Sequence, residues 1–410
     1  METPSAPPGR ETVHRYRWVI LAVLWTAYVV AFLNRLSIGP LGPFLKDALH
    51  LTNAQIGMVL SAASTGYLVT QIPVGWVADR TGARWPIALG EFLAGAAMVG
   101  IFFLPTFGSL LVLMFVTGVG CGFLAPSTTQ AVVVWFPQRE RATVMGLKQT
   151  AVNMGGIIGA ATLPSIALVF GWRYGFLLLG LVAIAIGGLS LLLYRDPPTH
   201  VAGVRLPPAA AASPLRDVLR NRQIWLVAMG VFFLNWVELA MIGHFVLYLT
   251  NGLHFEVRAA GGMLAIAEVA GAIVRPVSGL ASDRLFNGRR KPVFLFFAVT
   301  SSVMCFVLGL FGNHLTWELY PVVVLFGIGA IGFGGIQLTL LSELGGRGGA
   351  AQAAGFGSTI AVGGSILGPI TFGHIVDVTG SYETAWLSSG VVGILSVVFL
   401  ALVDESKRKI

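Results

Sequence analysis

The sequence predicts an all-α membrane protein of twelve transmembrane helices, arranged as two pseudo-symmetric six-helix halves. Three observations predict it. Charged residues are only 11% of the chain against 55% hydrophobic ones, and the mean hydropathy is +0.80, so a soluble globule with a single core is excluded. Twelve mostly apolar stretches each approach or exceed the roughly 20 residues that a spanning helix needs. One short motif also occurs twice. Gly75-Trp76-Val77-Ala78-Asp79-Arg80-Thr81-Gly82-Ala83-Arg84 returns 204 positions on (279 against 75) as Gly279-Leu280-Ala281-Ser282-Asp283-Arg284, followed by Gly288-Arg289-Arg290. Each copy sits where an apolar segment ends in charge, so the chain reads as two related membrane halves.

The stretches run over 17–39, 53–77, 86–105, 109–134, 142–169 and 174–194, then 223–250, 259–281, 292–313, 317–342, 350–374 and 384–403. Residues 1–16 form an N-tail, 17–194 the first half, 195–222 a linker, 223–403 the second half and 404–410 a short tail. The first stretch carries Asn34 and Arg35 ahead of Gly39, Pro40, Gly42 and Pro43. The second and eighth end in the doubled motif. The fourth and ninth hold the two cysteines, Cys121 and Cys305, so no extracellular disulfide framework is implied and both read as small apolar residues. Residues 1–12, with Pro4, Pro7 and Pro8, read as disordered; they lead into a segment too long for a signal h-region, so no cleavable signal is expected. Between Asp196 and Pro214 a Pro- and Ala-rich run joins the halves. The other loops are too short to hold a soluble catalytic domain.

The net charge of +8 raises the question of a nucleic-acid partner, and its distribution answers it. With the N-terminus inside, 20 of the 26 Lys and Arg residues fall in cytosolic segments, and only Lys46, Arg173 and Arg258 fall in outside loops. That is the positive-inside pattern with both termini cytosolic. Basicity here reports topology in a lipid bilayer, and no nucleic-acid partner is expected.

The half-repeat extends past the doubled motif. Gly146, Gly155 and Gly159 match Gly355, Gly364 and Gly368, each 209 positions on (355 against 146). Small residues four apart let helix backbones approach closely, so both helices are expected to pack against a partner across the pseudo-symmetry axis.

On these residues the chain resembles the major facilitator superfamily, from about Arg17 to Lys407: a doubled G-x-x-x-D-R-x-G-x-R loop, twelve spans and a central basic linker. The resemblance implies two six-helix halves around a central site that opens alternately to each side and moves a small solute. It implies that Asp79, Arg80, Arg84, Asp283 and Arg284 form a gating element on the cytosolic face. The plainer alternative is that Arg80 and Arg84 only anchor their loop.

Substrate chemistry must come from polar groups within the spans, because an ionisable residue there is costly. Arg35 stands out. Its spacing in Arg35-x7-Pro43-Phe44-Leu45 is similar to the first-helix arginine of the organophosphate/phosphate antiporters, and the Asn34-Arg35 pair is similar to the anion:cation symporters. A guanidinium donates bidentately to carboxylate or phosphate and never deprotonates. The alternative is an arginine snorkelling to the outer interface.

The chain also departs from these relatives. Where the organophosphate pattern has a second arginine in the seventh helix, this chain has Glu238, which counts against a dianion such as a phosphate monoester. Where the symporter pattern has acids in the first and fourth helices, it has Asn34 and Cys121. The proton carriers are then Glu238, which shares a helix face with Asn235, or Glu268, which shares one with Arg275. Glu268 and Arg275 also admit a static ion pair. Arg275-Pro276, eight residues before Asp283, resembles the eighth-helix arginine of nitrate/nitrite porters, whose second-helix partner is Gln71 here; Arg275 is therefore grouped with the gate. In the fifth span Lys148 is either an anion ligand or a snorkelling cation. Gln149 and Asn153 are chosen as hydrogen-bonding groups of the cavity, and Tyr67 as a further lining residue. Gln71, Gln130, Gln337 and His244 read more simply as helix-packing groups, and Glu91 as part of the cytosolic charge network.

No P-loop, G-x-S-x-G, H-E-x-x-H or Cys/His cluster appears, so no enzyme, cofactor or metal is expected. A non-transporting solute sensor of the same fold and a multidrug exporter are the other classes. Drug/proton antiporters usually end the fifth-helix small-residue motif in Gly-Pro, whereas Gly159 is followed by Ala160 and the Gly-Pro stands at Gly368-Pro369. The expectation is a monomeric secondary active transporter of the plasma (inner) membrane, carrying a small organic anion (carboxylate or sugar acid), coupled to protons. An inorganic-anion porter or organophosphate exchanger is the alternative.

Overall fold

The structure, a computed structural model, describes residues 9–195 and 215–407. The 196–214 part of the linker lies outside the described residues. Helices account for nearly all of the rest: α1 (Gly9–Leu36), α2 (Ile38–Leu49), α3 (Asn53–Thr81), α4 (Arg84–Phe103), α5 (Phe107–Trp135), α6 (Gln138–Phe170), α7 (Trp172–Leu193), α8 (Leu215–Arg220), α9 (Arg222–Leu247), α10 (Val257–Arg284), α11 (Lys291–Phe311), α12 (Leu319–Ile331), α13 (Gly334–Thr379) and α14 (Tyr382–Ala401). An all-helical build is what a bilayer demands, because every backbone polar group must find its partner inside its own segment.

Eleven of the described helical stretches are long and apolar enough to cross a membrane. The 29-residue α3 occupies the second expected stretch, diluted by Asn53, Gln55, Gln71 and a run of Ser and Thr. The spans fall where the hydropathy put them, with three departures. The first apolar stretch does not stop at residue 39 but continues through α2 to Leu49 after a break at Ser37, and so takes in Lys46. Pro40 lies in the first turn of α2, where its missing N–H has no intrahelical partner to lose. Residues 9–12, expected to be disordered, are the first turn of α1, since extending an existing helix adds one hydrogen bond per residue fixed. The tenth and eleventh spans are not separated by a loop. The chain turns inside α13 at Gly346, whose φ of 67° is open to glycine without a Cβ penalty.

Helix packing repeats between the halves. In the first half α6 lies on α1, and a Cβ at Gly155 would come within 2.7 Å of Leu33 N and Val29 O. In the second half α13 lies on α9, and a Cβ at Gly364 or Gly368 would come within 1.8 Å of Phe232 O or 2.3 Å of Trp236 O. The small-residue series therefore packs each helix against the first helix of its own half, while the packing of α6 and α13 across the pseudo-symmetry axis, on α10 and α3, is made by other residues. Glycine spacing specifies that backbones approach; it does not specify which backbone. Gly146 and Gly355, at the other ends of the two series, face open space.

The halves meet through α3 against α13, α6 against α10, and α2 against α9. Their closest backbone approaches gather at one end. A Cβ at Gly57 would lie 2.2 Å from Pro369 O, at Gly373 2.2 Å from Asn53 O, at Gly39 2.1 Å from Ile242 O, and at Gly261 2.6 Å from Ala160 O. At the opposite end, where the doubled motif lies, Gly279 joins Gly146 and Gly355 in open space. Hydrogen bonds and close backbone approaches between the halves thus gather at the end bearing Asn53, the sealed end, and none is seen among the described residues at the end bearing the motif, the open one.

Candidate functional site

The site is built around the break between α1 and α2. Arg35 is the penultimate residue of α1, only 7% exposed although it carries a permanent charge. Its Nη2 donates to Ser64 Oγ on α3 at 3.2 Å, and the guanidinium carbon stands 4.4 Å from the Tyr67 ring centroid and 5.6 Å from that of Phe32. Its Nε has no hydrogen-bond partner, and no carboxylate lies within 4.0 Å of it among the described residues. Beside it Asn34 is fully buried, with neither amide atom hydrogen-bonded. Buried polar atoms left in this state cost about 1–3 kcal/mol each, so a cluster of them is an unexpected place for the fold to spend stability unless something binds there.

Lys148 on α6 is 3% exposed. Its Nζ donates to Thr128 Oγ1 at 3.2 Å and Thr129 Oγ1 at 3.0 Å on α5, and lies 4.7 Å from the Tyr28 ring centroid. It points into the bundle, so it is no snorkelling side chain. Asn153, five residues further along α6, is buried beside the Glu268 carboxylate, though its Nδ2 makes no hydrogen bond of ordinary geometry, and Gln149 is half-buried with an unpartnered Oε1.

The second half contributes the acids. Glu268 on α10 is 3% exposed and packs against α6, where a Cβ at Gly156 would meet its carboxyl carbon at 2.6 Å. It lies within electrostatic reach of Glu238 and Arg275, and Glu238 within reach of Arg275 and Arg35. No ion pair of 4.0 Å or less joins Glu268 to Arg275 among the described residues, so the static pair is not formed. Arg275 Nε instead donates to Ile331 O on α12 at 3.0 Å. It sits with the two carboxylates within the bundle rather than with the loops of the doubled motif. Asn235 contacts its own half, its Nδ2 donating to Val231 O at 3.2 Å and its Oδ1 accepting from Ser365 Oγ at 3.4 Å. Two guanidiniums, two carboxylates and several unpartnered amides from both halves thus converge on one region.

The doubled motif lies at the open end. Arg80 stacks on Trp76, 3.4 Å from its ring centroid. Arg84 donates through Nε and Nη2 to Leu191 O on α7, at 3.1 and 2.5 Å, and Asp283 pairs with Arg290. Arg290 also reaches Glu343 at 3.2 Å, and hydrogen bonds to Asp283 and Glu343 lift its pKa against the opposing effect of burial. Among the described residues no hydrogen bond or ion pair ties Arg284 to this network, and the Asp79 side chain lies outside the described residues.

Several groups were not singled out by sequence reasoning. Ser64, Tyr28, Thr128 and Thr129 hold the two buried cations and are ordinary residues in apolar helices. At the sealed end, Asp377, Lys46 and Tyr382 gather on Asn53. His244, read as a packing group, contributes Nε2 3.1 Å from Asn53 O. Glu91 does not join the cytosolic charge network: it is fully buried and both its oxygens lack partners. Cys121 donates its thiol to Ala31 O at 3.1 Å, a packing role. Among the described residues no cluster of His, Cys, Asp and Glu could hold a metal ion.

The sequence matches the family described as Major Facilitator Superfamily over residues 24–369. The chain belongs to that superfamily. Among curated relatives it is 27% identical to a probable sulfoacetate transporter, SauU, of Cupriavidus necator, covering 96% of each chain. It is 25% identical to a hexuronate transporter of Bacillus subtilis, covering 92% of each. Among solved structures it superposes with a TM-score of 0.81 on a bacterial homologue of the human lysosomal transporter Spinster, in an inward-facing and occupied conformation, at 17% identity and covering 98% of this chain and 99% of that one. That likeness shows the fold. A superfamily member of this build has two six-helix halves, and in this chain the polar residues of both halves converge between them.

Proposed function

We propose that this superfamily transporter is a secondary active carrier of a small organic anion, a carboxylate or sugar acid, and that it works by alternating access. The observation that carries the proposal is Arg35: a buried, permanent charge with a free Nε, an aromatic wall and, among the described residues, no carboxylate within 4.0 Å. A site that desolvates a cation without pairing it is complementary to an anion. The names of the sulfoacetate and hexuronate relatives support the same class.

The remaining roles follow from position. Arg35 and Asn34 grip the anion; Lys148, Gln149, Asn153, Asn235 and Tyr67 line its cavity. Glu238 carries the coupling proton, with Glu268 in reserve, since both acids neighbour Arg275 and Glu238 also senses Arg35. Asp79, Arg80, Arg84, Asp283 and Arg284 belong to the cytosolic gate. With both termini cytosolic in the plasma (inner) membrane, the open end faces the cytosol and the described state is inward-open. The carrier works as a monomer.

A thermal-stability screen of the purified protein against organic acids, nitrate and phosphate esters tests the proposal, since a ligand of the native state raises the melting temperature. Stabilisation by carboxylates that is lost in Arg35→Met is the expected result. Stabilisation by nitrate or phosphate esters alone would overturn it.

A further inference from the structure

Lys148 is a second buried cation on the Arg35 side of the cavity, and its surroundings are arranged for a charge that none of the described residues supplies. An ammonium has three donors. Two go to the hydroxyls of Thr128 and Thr129, whose own protons are committed to Leu124 O at 2.6 Å and Ala125 O at 2.8 Å. Those hydroxyls therefore present only lone pairs to Lys148. The remaining neighbour is the face of Tyr28. Every partner is neutral, and no carboxylate lies within 4.0 Å of Nζ among the described residues. Glu238 and Glu268 are neighbours of Arg275 on the opposite half.

The two cations are held apart by one helix face. Tyr28, Phe32 and Arg35 stand at i, i+4 and i+7 on α1, and the ring centroids of Tyr28 and Phe32 are 5.1 Å apart. Seven residues span about 10 Å of helix axis. Arg35 leans back over Phe32, which shortens the gap between the guanidinium and the level of Lys148. The result is an aromatic floor with one positive group at each end. A phosphate monoester, with its charges on one group, cannot use both ends.

Resting on the reading of this cavity as an anion site, we propose that Arg35 and Lys148 bind the two ends of a substrate carrying two separated negative charges. The substrate class is a small dicarboxylate or sulfocarboxylate, with Lys148 selecting for the second anionic group.

Matched pairs test this by isothermal titration of the purified protein: D-glucarate against D-gluconate, and sulfoacetate against isethionate. Within each pair one carboxylate is replaced by a hydroxymethyl group. The native protein is expected to prefer at least one dianion by about tenfold or more, the yield of one charge-assisted contact. Lys148→Met should remove that preference, weakening the dianion about tenfold or more beyond whatever it costs the monoanion, and Lys148→Arg should restore it. Equal affinity within both pairs, or equal weakening of both members in Lys148→Met, would overturn the two-ended site and leave the anion carrier intact. Binding of neither member of either pair would overturn both. If Lys148→Met does not fold, the native pairs decide alone.

Discussion

The carboxylate of Asp377, near the end of α13, accepts the backbone N–H of Asn53 at 2.9 Å and its side-chain amide at 2.8 Å, across the seam between the two halves. The other oxygen accepts Ala54 N at 2.8 Å, while Thr52 caps Gln55 N at 3.1 Å, so the first turn of α3 has its exposed donors satisfied. A negative charge at a helix N-terminus is favourable, and here the charge and the helix belong to different halves. Lys46, Tyr382 and His244 complete the cluster around Asn53. Opening the sealed end must break these contacts together.

Asp377→Asn should therefore shift the protein away from the state sealed at this end. Each hydrogen bond to the carboxylate is worth about 1.5–3 kcal/mol, so losing the charge should change the equilibrium by about tenfold or more. Ser61, whose hydroxyl donates to Ile366 O at 2.6 Å across the same seam, reports the change as Ser61→Cys. Cys121 and Cys305 are buried and give little background. Labelling of Cys at 61 from outside intact cells should rise several-fold in the Asp377→Asn background. Unchanged labelling would show that the cluster does not hold the seam.

Arg35→Lys keeps the charge and loses the planar fork. Anion binding should weaken by about ten- to a hundredfold, the loss expected for one or two charge-assisted hydrogen bonds. Titration of the purified variant measures it. Near-native affinity in Arg35→Lys would mean that charge alone suffices and that the guanidinium clamps nothing.

Much of this was legible in the sequence, and for a physical reason: the bilayer forces long apolar helices, so hydropathy places them, and it makes a charge inside them conspicuous, so Arg35, Lys148, Glu238 and Glu268 stand out. Partners were less legible. Gly155 and Gly364 announce a close approach, but only folding shows that they meet Val29 and Phe232 of their own halves. Asp377 looks like an interfacial carboxylate near a span end, and the helix terminus it caps lies 324 residues away. Glu91 read as cytosolic because it is near the start of its span; packing between α4, α5 and α7 buries it instead.

The glycine packing gives a sharp contrast within one series. A Cβ at Gly364 would stand 1.8 Å from Phe232 O, whereas one at Gly355 meets nothing within 4 Å. Gly364→Ala should cost about 1–3 kcal/mol through overpacking against backbone. Gly355→Ala should be neutral or slightly stabilising, because alanine loses less backbone entropy on folding. Thermal unfolding of the two purified variants reads the difference. Equal melting temperatures would contradict the α9 and α13 contact.

Glu238→Gln mimics the protonated acid. The variant should still bind and exchange substrate across the membrane, while uptake driven by a pH gradient disappears and the pH dependence of binding flattens. Continued accumulation under an imposed pH gradient would remove Glu238 as the proton site and leave Glu268→Gln as the next variant to measure.

The central claim is that an anion carried by Arg35 crosses the membrane through this chain. Proteoliposomes loaded with alkaline buffer and diluted into acidic buffer with a labelled sugar acid or dicarboxylate measure it directly. Saturable accumulation above protein-free vesicles, lost in Arg35→Met, is the result predicted. Binding of the same acid by the purified protein, with no uptake and no exchange in proteoliposomes, would contradict it and identify the chain as a sensor.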